Sequence, residues 1–495
     1  MRQLTALDAQ FLHLESATTA AHVAGLAVLD PADGMVSRDA LAELLRARLH
    51  LSPALSMRLA EVPLGLDHPY WVADPGIDVD RHLFELTLPA PGDDRQLAAA
   101  VAEIHARRLD RTRPLWEMHL IKGLRGGRVA VYTKVHHAAI DGVSGAETLA
   151  ALLDLSPDGR LTPAEARPAA PPAPQRAGRA GMLVGAAVHG AAQPLRAARS
   201  VIRAAADLDV IPLAGALPGA KLIARAARAV SGDRQQRPEL PGLSAPRTPF
   251  SGPISARRHL SFGSLPLKDI KKVAKAHGMS VNDVVMALCA SALRAWLEER
   301  DALPAAPLIV AVPVAVRRAG AEELIGNRIS AMVAPMPTNV RDPLERLHVM
   351  GAAMSRAKRR FALAPSAWPS ELCSLLPAPV TSLATPAVFR LAGMAFPPVN
   401  LIVSNVPGPQ FPLYLCGGRV LSYYPLSVLT DASGGLTITC FSYDGMLDFG
   451  IVACPERVDD VWSLLAHLRA ALDELSDDRV GDEFRDGVGV DLVAG

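Results

Sequence analysis

The amino-acid sequence predicts an α/β protein of two domains. Two stretches combine strand and helix patterns, one at each end of the chain. A segment of different composition, rich in Pro and Ala and then in Ala and Arg, lies between them. We therefore place the domains at 1–160 and 249–495, joined by a linker and helical crossover at 161–248. A chain of 495 residues is long enough for this arrangement.

The first predicted domain contains two helices and a strand. Apolar residues recur at helical spacing near Arg38–Leu49 and near Asp94–Leu109. Valines at 129, 131 and 135 alternate with Ala130, Tyr132 and Lys134, and this period of two is typical of a strand. The strand runs directly into a pair of histidines.

Composition excludes several classes of protein. Fifty per cent hydrophobic residues indicate a globular chain, while a net charge of +1 and 4% aromatic residues disfavour a nucleic-acid partner. Five scattered cysteines without a C-x-x-C pair indicate neither a zinc site nor a disulfide framework. The N-terminus carries Asp8 and Glu15 and lacks a signal-peptide core, and no apolar run reaches the roughly 20 residues that span a bilayer. We expect a cytoplasmic protein.

The middle of the crossover, about 178–230, is apolar and cationic. Seven Lys and Arg residues interrupt runs of Ala, Leu, Val and Ile, and Asp207 and Asp209 are its only acids. This composition fits a helical stretch on an anionic lipid surface, such as the inner face of a membrane or a lipid droplet. It fits somewhat better a pair of helices packed across the two domains, with their arginines in solvent.

The stretch VYTKVHHAAIDGVSGAE, at 131–147, is the strongest candidate for a functional site. Continuing the strand alternation places His137 on the face of the valines and His136 on the opposite face, so the two have different roles. Ser144 and Glu147 then form an S-x-x-E capping box that begins a helix.

Asp141 and Gly142 fall in the turn between the strand and this helix. Histidine suits a general base at neutral pH, Asp141 could hold the turn by pairing with a distant cation, and Gly142 allows close approach of a substrate. The alternative is a pair of buried histidines beside a simple Asp-Gly turn. A chance match to H-H-x-x-x-D-G in such a chain is on the order of one in a thousand, which favours function.

The sequence HHAAIDG resembles the active-site signature of the coenzyme A-dependent acyltransferase superfamily. More specifically, the chain resembles the bacterial wax ester synthase/diacylglycerol acyltransferase family in the stretches LTALDAQFLHLES, RPLWEMHLI, MSVNDVVMALCASALRAWL, PVAVRR, GNRIS and NLIVSNVPGPQFPLYLCGGRV. It departs from the family at TAAH, where relatives often have Pro-Met-His, and at Ser251, where Asn is common. The resemblance implies two chloramphenicol-acetyltransferase-like domains, each a mixed sheet backed by helices, with a substrate tunnel between them.

The same resemblance implies roles for the residues of the signature. His137 would be the catalytic base, Asp141 would be structural, and His136 would shape the site from the other side of the strand. Arg317 is the expected partner of Asp141, because related acyltransferases place an arginine there, and Arg318 is an equal candidate.

Two further motifs have both structural and functional interpretations. Ser280 and Asp283 match a helix cap, whereas the resemblance implies that Asn282 and Asp283 help build the site. The segment from Asp448 to Gly450 resembles the Asp-Phe-Gly segment of plant relatives, and we expect it to be structural.

Two other segments are candidates for substrate contact. Pro114, Leu115 and Trp116 precede the histidine strand; they fit a turn with a packed Trp, while the resemblance implies a wall of the acyl or alcohol channel. Ser404 and Asn405 follow an apolar strand and could orient a hydroxyl or bind a developing oxyanion, or form an ordinary turn.

The expected reaction is direct acyl transfer. Long-chain acyl-CoA, as a substrate, would donate its acyl group to diacylglycerol or a long-chain alcohol, with no metal, no cofactor and no covalent acyl-enzyme. A related enzyme acting on a polyketide, carrier-bound or small alcohol acceptor is the first alternative. A non-catalytic lipid-surface protein is the second, and the intact His-Asp-Gly set argues against it.

Overall fold

The computed structural model describes residues 1–31, 36–74, 76–140, 145, 148, 151–158, 178, 181–188, 220–231, 245–315, 329–363, 378–395 and 399–476. The strands are β1 Arg2–Gln3, β2 His22–Asp30, β3 Met57–Ala60, β4 Tyr70–Ala73, β5 Leu83–Thr87, β6 Trp116–Lys122, β7 Val129–His136, β8 His259–Pro266, β9 Leu308–Ala315, β10 Ile329–Met336, β11 Leu401–Val406, β12 Tyr414–Leu415, β13 Gly418–Leu426, β14 Leu436–Tyr443 and β15 Met446–Ala453.

The helices are α1 Ala6–Leu14, α2 Arg38–Arg48, α3 Pro53–Ser56, α4 Asp94–Ala106, α5 Ala220–Ser231, α6 Leu267–Ala276, α7 Val281–Glu298, α8 Pro343–Leu363, α9 Ala378–Ala395 and α10 Val461–Ser476. A further helical run covers 181–188. The helices predicted near Arg38 and Asp94 are therefore confirmed as α2 and α4. Helix α4 ends at Ala106, before the predicted boundary at Leu109. Lys134 of β7 donates hydrogen bonds to the carbonyls of Ile104 and Arg107 at this helix end, where the last carbonyls lack their usual partners within the helix.

Two six-stranded mixed sheets dominate the fold. Sheet 1 has the order β12-β13-β2-β7-β6-β5, with β5 and β6 parallel. Sheet 2 has the order β10-β9-β11-β14-β15-β8, with β11 parallel to both β9 and β14. Helices α6, α7, α8 and α10 share a buried apolar core with sheet 2. The predicted α/β class is confirmed, whereas the tunnel between the domains stays a prediction.

The histidine strand β7 divides two cores. Val131 and Val135 pack into a core with residues of α1 and α2. Ala130 and Tyr132 belong to a second core, which sheet 1 shares with α4 and with Phe262 of sheet 2. The predicted alternation is therefore confirmed, and both cores also contain residues from the second half of the chain, such as Tyr443 in the first and Phe262 in the second.

A strand pair from the second half of the chain completes sheet 1. Strand β13 pairs antiparallel with β2, from Arg419 opposite Asp30 to Leu426 opposite Ala24. The sequence boundaries near 160 and 249 therefore do not separate the two sheets. Strand periodicity predicts which face of β13 is apolar but not which sheet it joins.

The Asp-Phe-Gly segment of β15 attaches this crossing strand to sheet 2. The carboxylate of Asp448 accepts hydrogen bonds from the Tyr423 backbone N–H at 2.7 Å and from the Ser264 hydroxyl at 2.6 Å. At Gly450, a Cβ would lie 1.9 Å from the carbonyl oxygen of Pro425, so only glycine allows this approach. The predicted structural role of the segment is confirmed.

The crossover from 178 to 230 is described only in part. Helix α5 places Leu222 and Ile223 in solvent, with 71% and 51% of their surface exposed, while Ala224 is buried. The helical run at 181–188 also exposes Val184 and Val188, at 65% and 62%. In both helices, large apolar side chains are thus exposed while an alanine, Ala186 or Ala224, is buried.

Candidate active site

Strand β7 delivers the two histidines to the edge of a turn. His136 is the last residue of the strand, opposite His22 of β2. The His136 backbone N–H donates to the Leu115 carbonyl at 2.9 Å, and its carbonyl accepts from Ala139 N–H at 2.9 Å. These bonds end the strand and start the turn directly after the signature histidines.

The imidazole of His136 is fully buried and held in one tautomer. Its Nδ1 accepts the backbone N–H of Ala138 at 3.0 Å, so the ring proton must lie on Nε2. Nε2 lies 3.4 Å from Oε1 of Glu15, whose side chain is 3% exposed. Burial lowers the pKa of His136, and the nearby carboxylate of Glu15 counteracts this only in part. His136 is therefore neutral at physiological pH.

His137 turns to the other face of the strand, as predicted. Its backbone N–H donates to the Ala21 carbonyl at 2.8 Å. Its ring lies flat on Phe11 of α1, with centroids 4.0 Å apart and 1° between the planes. The side chain is half-buried, unlike that of His136. Of the two histidines, His137 is thus the more exposed one.

Glu15, just after α1, is the residue that the sequence did not indicate. Its Oε2 accepts from Nε and Nη2 of Arg111 at 3.1 and 2.8 Å, and its Oε1 accepts from Ala21 N–H at 3.3 Å. Burial alone would raise the pKa of Glu15, but His136 and Arg111 lower it to about 2. Arg111 is 96 residues away in sequence, and no local spacing predicts such a pair.

Pro114, Leu115 and Trp116 are all buried beside the histidine strand. Trp116 is 1% exposed, donates from Nε1 to the Leu55 carbonyl at 2.9 Å and stacks on His82 at 4.4 Å. This confirms a packed Trp. Leu115 connects to the signature through its carbonyl, which accepts from His136. Contact of these three residues with a substrate channel remains a prediction.

Asn282 and Asn405, predicted from separate motifs, are in contact. Asn405 of β11 donates from Nδ2 to Oδ1 of Asn282, in the first turn of α7, at 3.2 Å. Among the described residues, Nδ2 of Asn282 makes no hydrogen bond. Ser404 precedes Asn405 on the strand and faces the other side of the sheet.

Asp283 caps α7, as its spacing predicts. It forms a reciprocal capping box with Ser280, and Lys358 of α8 lies 3.3 Å from its Oδ1. Four predicted residues, Asp141, Gly142, Arg317 and Arg318, lie outside the described residues, as do Ser144 and Glu147. Their roles therefore remain those implied by the sequence.

A band of buried ionisable groups lies behind His136. His22 contacts His105 edge-on at 4.7 Å, and Nδ1 of His105 lies 2.8 Å from the Tyr132 hydroxyl. Burial lowers the pKa of His22 well below its ordinary value and that of His105 to about 3, so both are neutral. Lys134 sits beside them with Nζ 3.1 Å from Oε2 of Glu117.

A cavity of about 350 Å³ opens where α4 and β13 meet β8 and α10, and it contains none of the predicted site residues. It is lined by Asp94, Arg95, Phe262, Gly263, Ser264, Tyr424, Trp462, Leu465, Ala466 and Arg469. Within the described part of the chain, no three His, Cys, Asp or Glu side chains converge to hold a metal ion. The four cysteines there are free thiols.

Within the described ranges, no single helix is both long and apolar enough to cross a bilayer. The pair α6 and α7, bent by 103°, passes that test together, by length and composition only. Most of α7 is buried in the core of sheet 2.

Two solved structures share this arrangement of strands and helices. A wax ester synthase/diacylglycerol acyltransferase from Marinobacter aquaeolei matches with a TM-score of 0.67 and 27% identity, covering 97% of this chain and all of that one. The first condensation domain of the calcium-dependent antibiotic synthetase matches with a TM-score of 0.53 and 19% identity, covering 97% of this chain and 96% of that one. The second likeness concerns the fold alone. The fold and the histidine turn define a two-domain acyltransferase.

Sequence comparison then assigns the family. Residues 4–285 match the wax ester synthase/diacylglycerol acyltransferase catalytic domain, and residues 325–476 match the C-terminal domain of the same family. A putative diacylglycerol O-acyltransferase of Mycobacterium tuberculosis is 35% identical over 97% of this chain and 91% of its own length. A probable diacylglycerol O-acyltransferase of the same organism is 35% identical over 94% and 97%. The chain belongs to the wax ester synthase/diacylglycerol acyltransferase family and is an acyltransferase.

Proposed function

We propose that this enzyme transfers a long-chain acyl group from acyl-CoA to diacylglycerol, or to a long-chain alcohol, with His137 as the general base. The names of the relatives support the diacylglycerol acceptor. The single observation that supports the base is the half-buried ring of His137, fixed against Phe11 and through Ala21 at the turn of the signature. A base in a fixed orientation is what proton abstraction from a hydroxyl requires.

The reaction proceeds in two steps on one tetrahedral centre. A ring nitrogen of His137 takes the hydroxyl proton as the acceptor oxygen attacks the thioester carbonyl, and the carbonyl oxygen becomes an oxyanion. Collapse of the oxyanion breaks the C–S bond. The CoA thiolate that leaves takes the proton from the His137 imidazolium, giving an ester and free CoA. The protein supplies no nucleophile, and acyl-CoA enters as a substrate with no resident cofactor or metal.

The oxyanion needs a hydrogen-bond donor, and we assign that role to Asn282. Its Oδ1 already accepts from Asn405, which leaves Nδ2 directed elsewhere as a donor. Asn405 then orients this amide through its hydrogen bond to Oδ1.

The acceptor class is tested by measuring release of free CoA thiol from palmitoyl-CoA. Dioleoylglycerol, hexadecanol and a short alcohol such as butanol serve as acceptors in parallel. We expect release that depends on either lipid acceptor, with triacylglycerol or wax ester formed in equal amount. Release that responds only to butanol, or to no acceptor, contradicts the proposal.

We also propose that α5 docks on an anionic phospholipid surface, where such acceptors dissolve. The exposed Leu222 and Ile223 and the basic residues of the same acid-free helix support this partner. Leu222→Asp with Ile223→Asp should abolish flotation with phosphatidylglycerol vesicles, while Val349→Asp, at an exposed position of α8, should not. Equal flotation of both variants contradicts the docking site.

A further inference from the structure

Glu15 contacts three groups that adjoin His137: the Ala21 backbone, the His136 ring and, through Arg111, the end of α1. Its Oε1 accepts from Ala21 N–H at 3.3 Å, and the carbonyl of the same Ala21 accepts from His137 N–H at 2.8 Å. Oε1 also lies 3.4 Å from Nε2 of His136, the residue before His137. The carboxylate thus reaches the backbone of His137 along two short routes.

The other carboxylate oxygen holds the helix that carries the stacking ring. Oε2 pairs with Arg111, and Nη2 of Arg111 also donates to the Leu12 carbonyl at the end of α1. Phe11, one residue earlier, is the side chain on which His137 lies. Arg111 and Glu15 therefore join α1 to the turn that contains His137.

The groups around Glu15 explain why this buried position holds a carboxylate. The side chain of Glu15 is 3% exposed, and a buried carboxylate is costly unless donors surround it. Arg111 supplies the opposite charge, while the Ala21 N–H and the Nε2–H of His136 are both donors. All the groups around Glu15 donate, so an amide in its place would turn its NH2 group against one of them.

We propose that Glu15 is a positioning residue that sets the orientation of His137, an inference that rests on the proposed role of His137 as base. Positioning acts on the rate of the bound complex, since sub-ångström displacement of a base costs rate more than substrate affinity. Glu15→Gln should lower kcat by about 10- to 100-fold and leave the KM for palmitoyl-CoA within about twofold. Glu15→Asp keeps the charge and should recover part of that loss.

The control is Glu85→Gln. In the wild type, Oε1 of Glu85 lies 2.9 Å from Nζ of Lys122 in a surface ion pair, and breaking this pair should leave kcat unchanged. A second test uses His136→Asn. The Oδ1 of the new asparagine can still accept from Ala138 N–H, but its side chain is too short to reach Glu15. If Glu15 acts through His136, adding Glu15→Gln to His136→Asn lowers kcat by less than it does in the wild type.

The outcomes separate this inference from the proposed function. If His137→Ala retains acceptor-dependent thiol release, the base assignment is wrong and Glu15 has nothing to position. If His137→Ala is inactive while Glu15→Gln keeps wild-type kcat, the positioning role alone is wrong. Equal losses of kcat and melting temperature in Glu15→Gln and Glu15→Asp, with a raised KM, indicate a purely structural acid and also overturn it.

Discussion

Phe11 and His137 lie face to face, 4.0 Å between ring centroids and 1° between planes. Phe11 belongs to the first helix of the chain, and His137 directly follows the seventh strand. The N-terminal segment is therefore part of the candidate site, and Thr385 of α9 contacts the same helix by donating to Gln10 at 2.8 Å. The family signature at 136–142 depends on a helix more than a hundred residues earlier.

Removing the stacking ring should lower activity without unfolding the protein. Phe11→Ala frees one face of the His137 ring, so we expect kcat to fall about 10-fold, with a smaller loss in Phe11→Leu. Phe84→Ala is the matched control. Phe84 also stacks on a histidine, His119, with ring centroids 4.9 Å apart, but this pair lies away from the site. Steady-state thiol release measures both, and equal kcat in Phe11→Ala and Phe84→Ala contradicts a role for the stack.

Asn282 should matter more to the rate than Asn405. Asn282→Ala removes the proposed oxyanion donor, and loss of one such donor lowers kcat by about 100-fold or more. Asn405→Ala only frees the Asn282 amide to rotate, so we expect a loss nearer 10-fold. Gln410→Ala, an exposed amide that donates to the Gly408 carbonyl, should have no effect. A larger loss in Asn405→Ala than in Asn282→Ala reverses the assignment.

Asp448 should contribute to stability rather than to the reaction. Asp448→Ala leaves the buried Tyr423 N–H without its acceptor, so we expect the free energy of unfolding to fall by about 2–4 kcal/mol. Asp448→Asn keeps an acceptor for Tyr423 and offers its NH2 group to the Ser264 oxygen, so it should stay close to the wild type at about pH 4, where the wild-type carboxyl is protonated. Chemical denaturation compares the two, with thiol release as the second readout.

The pH dependence of the Asp448 variants has a definite sign. Burial raises the pKa of Asp448 to about 6 from an ordinary 3.8, so the folded state binds its proton more tightly than the unfolded state. The contribution of this group to stability is full below about pH 3.8 and is lost as pH rises through 6. Asp448→Asn should therefore gain stability relative to the wild type between pH 4 and pH 7. If the difference in the free energy of unfolding between the two proteins stays constant over that range, the raised pKa of Asp448 is contradicted.

His105 should make folding sensitive to mild acid. Burial lowers its pKa from 6.5 to about 3, so below pH 6.5 the unfolded chain takes up a proton that the folded chain refuses. Stability falls with pH through this window, by up to about 1.4 kcal/mol per pH unit for this group. His105→Gln should flatten the change in urea midpoint between pH 7 and 4, while His50→Gln, at an exposed position, should not. If the urea midpoint changes with pH equally in the wild type and both variants, the lowered pKa of His105 is wrong.

Local patterns predicted much of this structure. The alternation from Val129 to Val135 correctly placed His136 and His137 on opposite faces, because strand parity is a local property of the backbone. The capping box of Ser280 and Asp283 was also predicted correctly, since both partners lie within one helical turn. Family resemblance supplied the structural role of Asp448.

Contacts between distant segments were not predictable in this way. Glu15 and Ala21, from the loop between α1 and β2, meet Arg111, from the loop between α4 and β6, beside the histidines, and a single sequence has no signal for such a cluster. The pairing of β13 with β2 was missed for the same reason, because an apolar alternation does not specify its partner strand. Asn282 and Asn405 were each proposed separately, and only the fold brings them together.

The most direct test of the central claim is acceptor-dependent thiol release by His137→Ala. Palmitoyl-CoA and dioleoylglycerol are supplied at saturating concentration, and His50→Ala is the control. If His137 is the base, kcat falls by at least about 100-fold in His137→Ala and remains at the wild-type level in His50→Ala. Wild-type kcat in a correctly folded His137→Ala would contradict the mechanism.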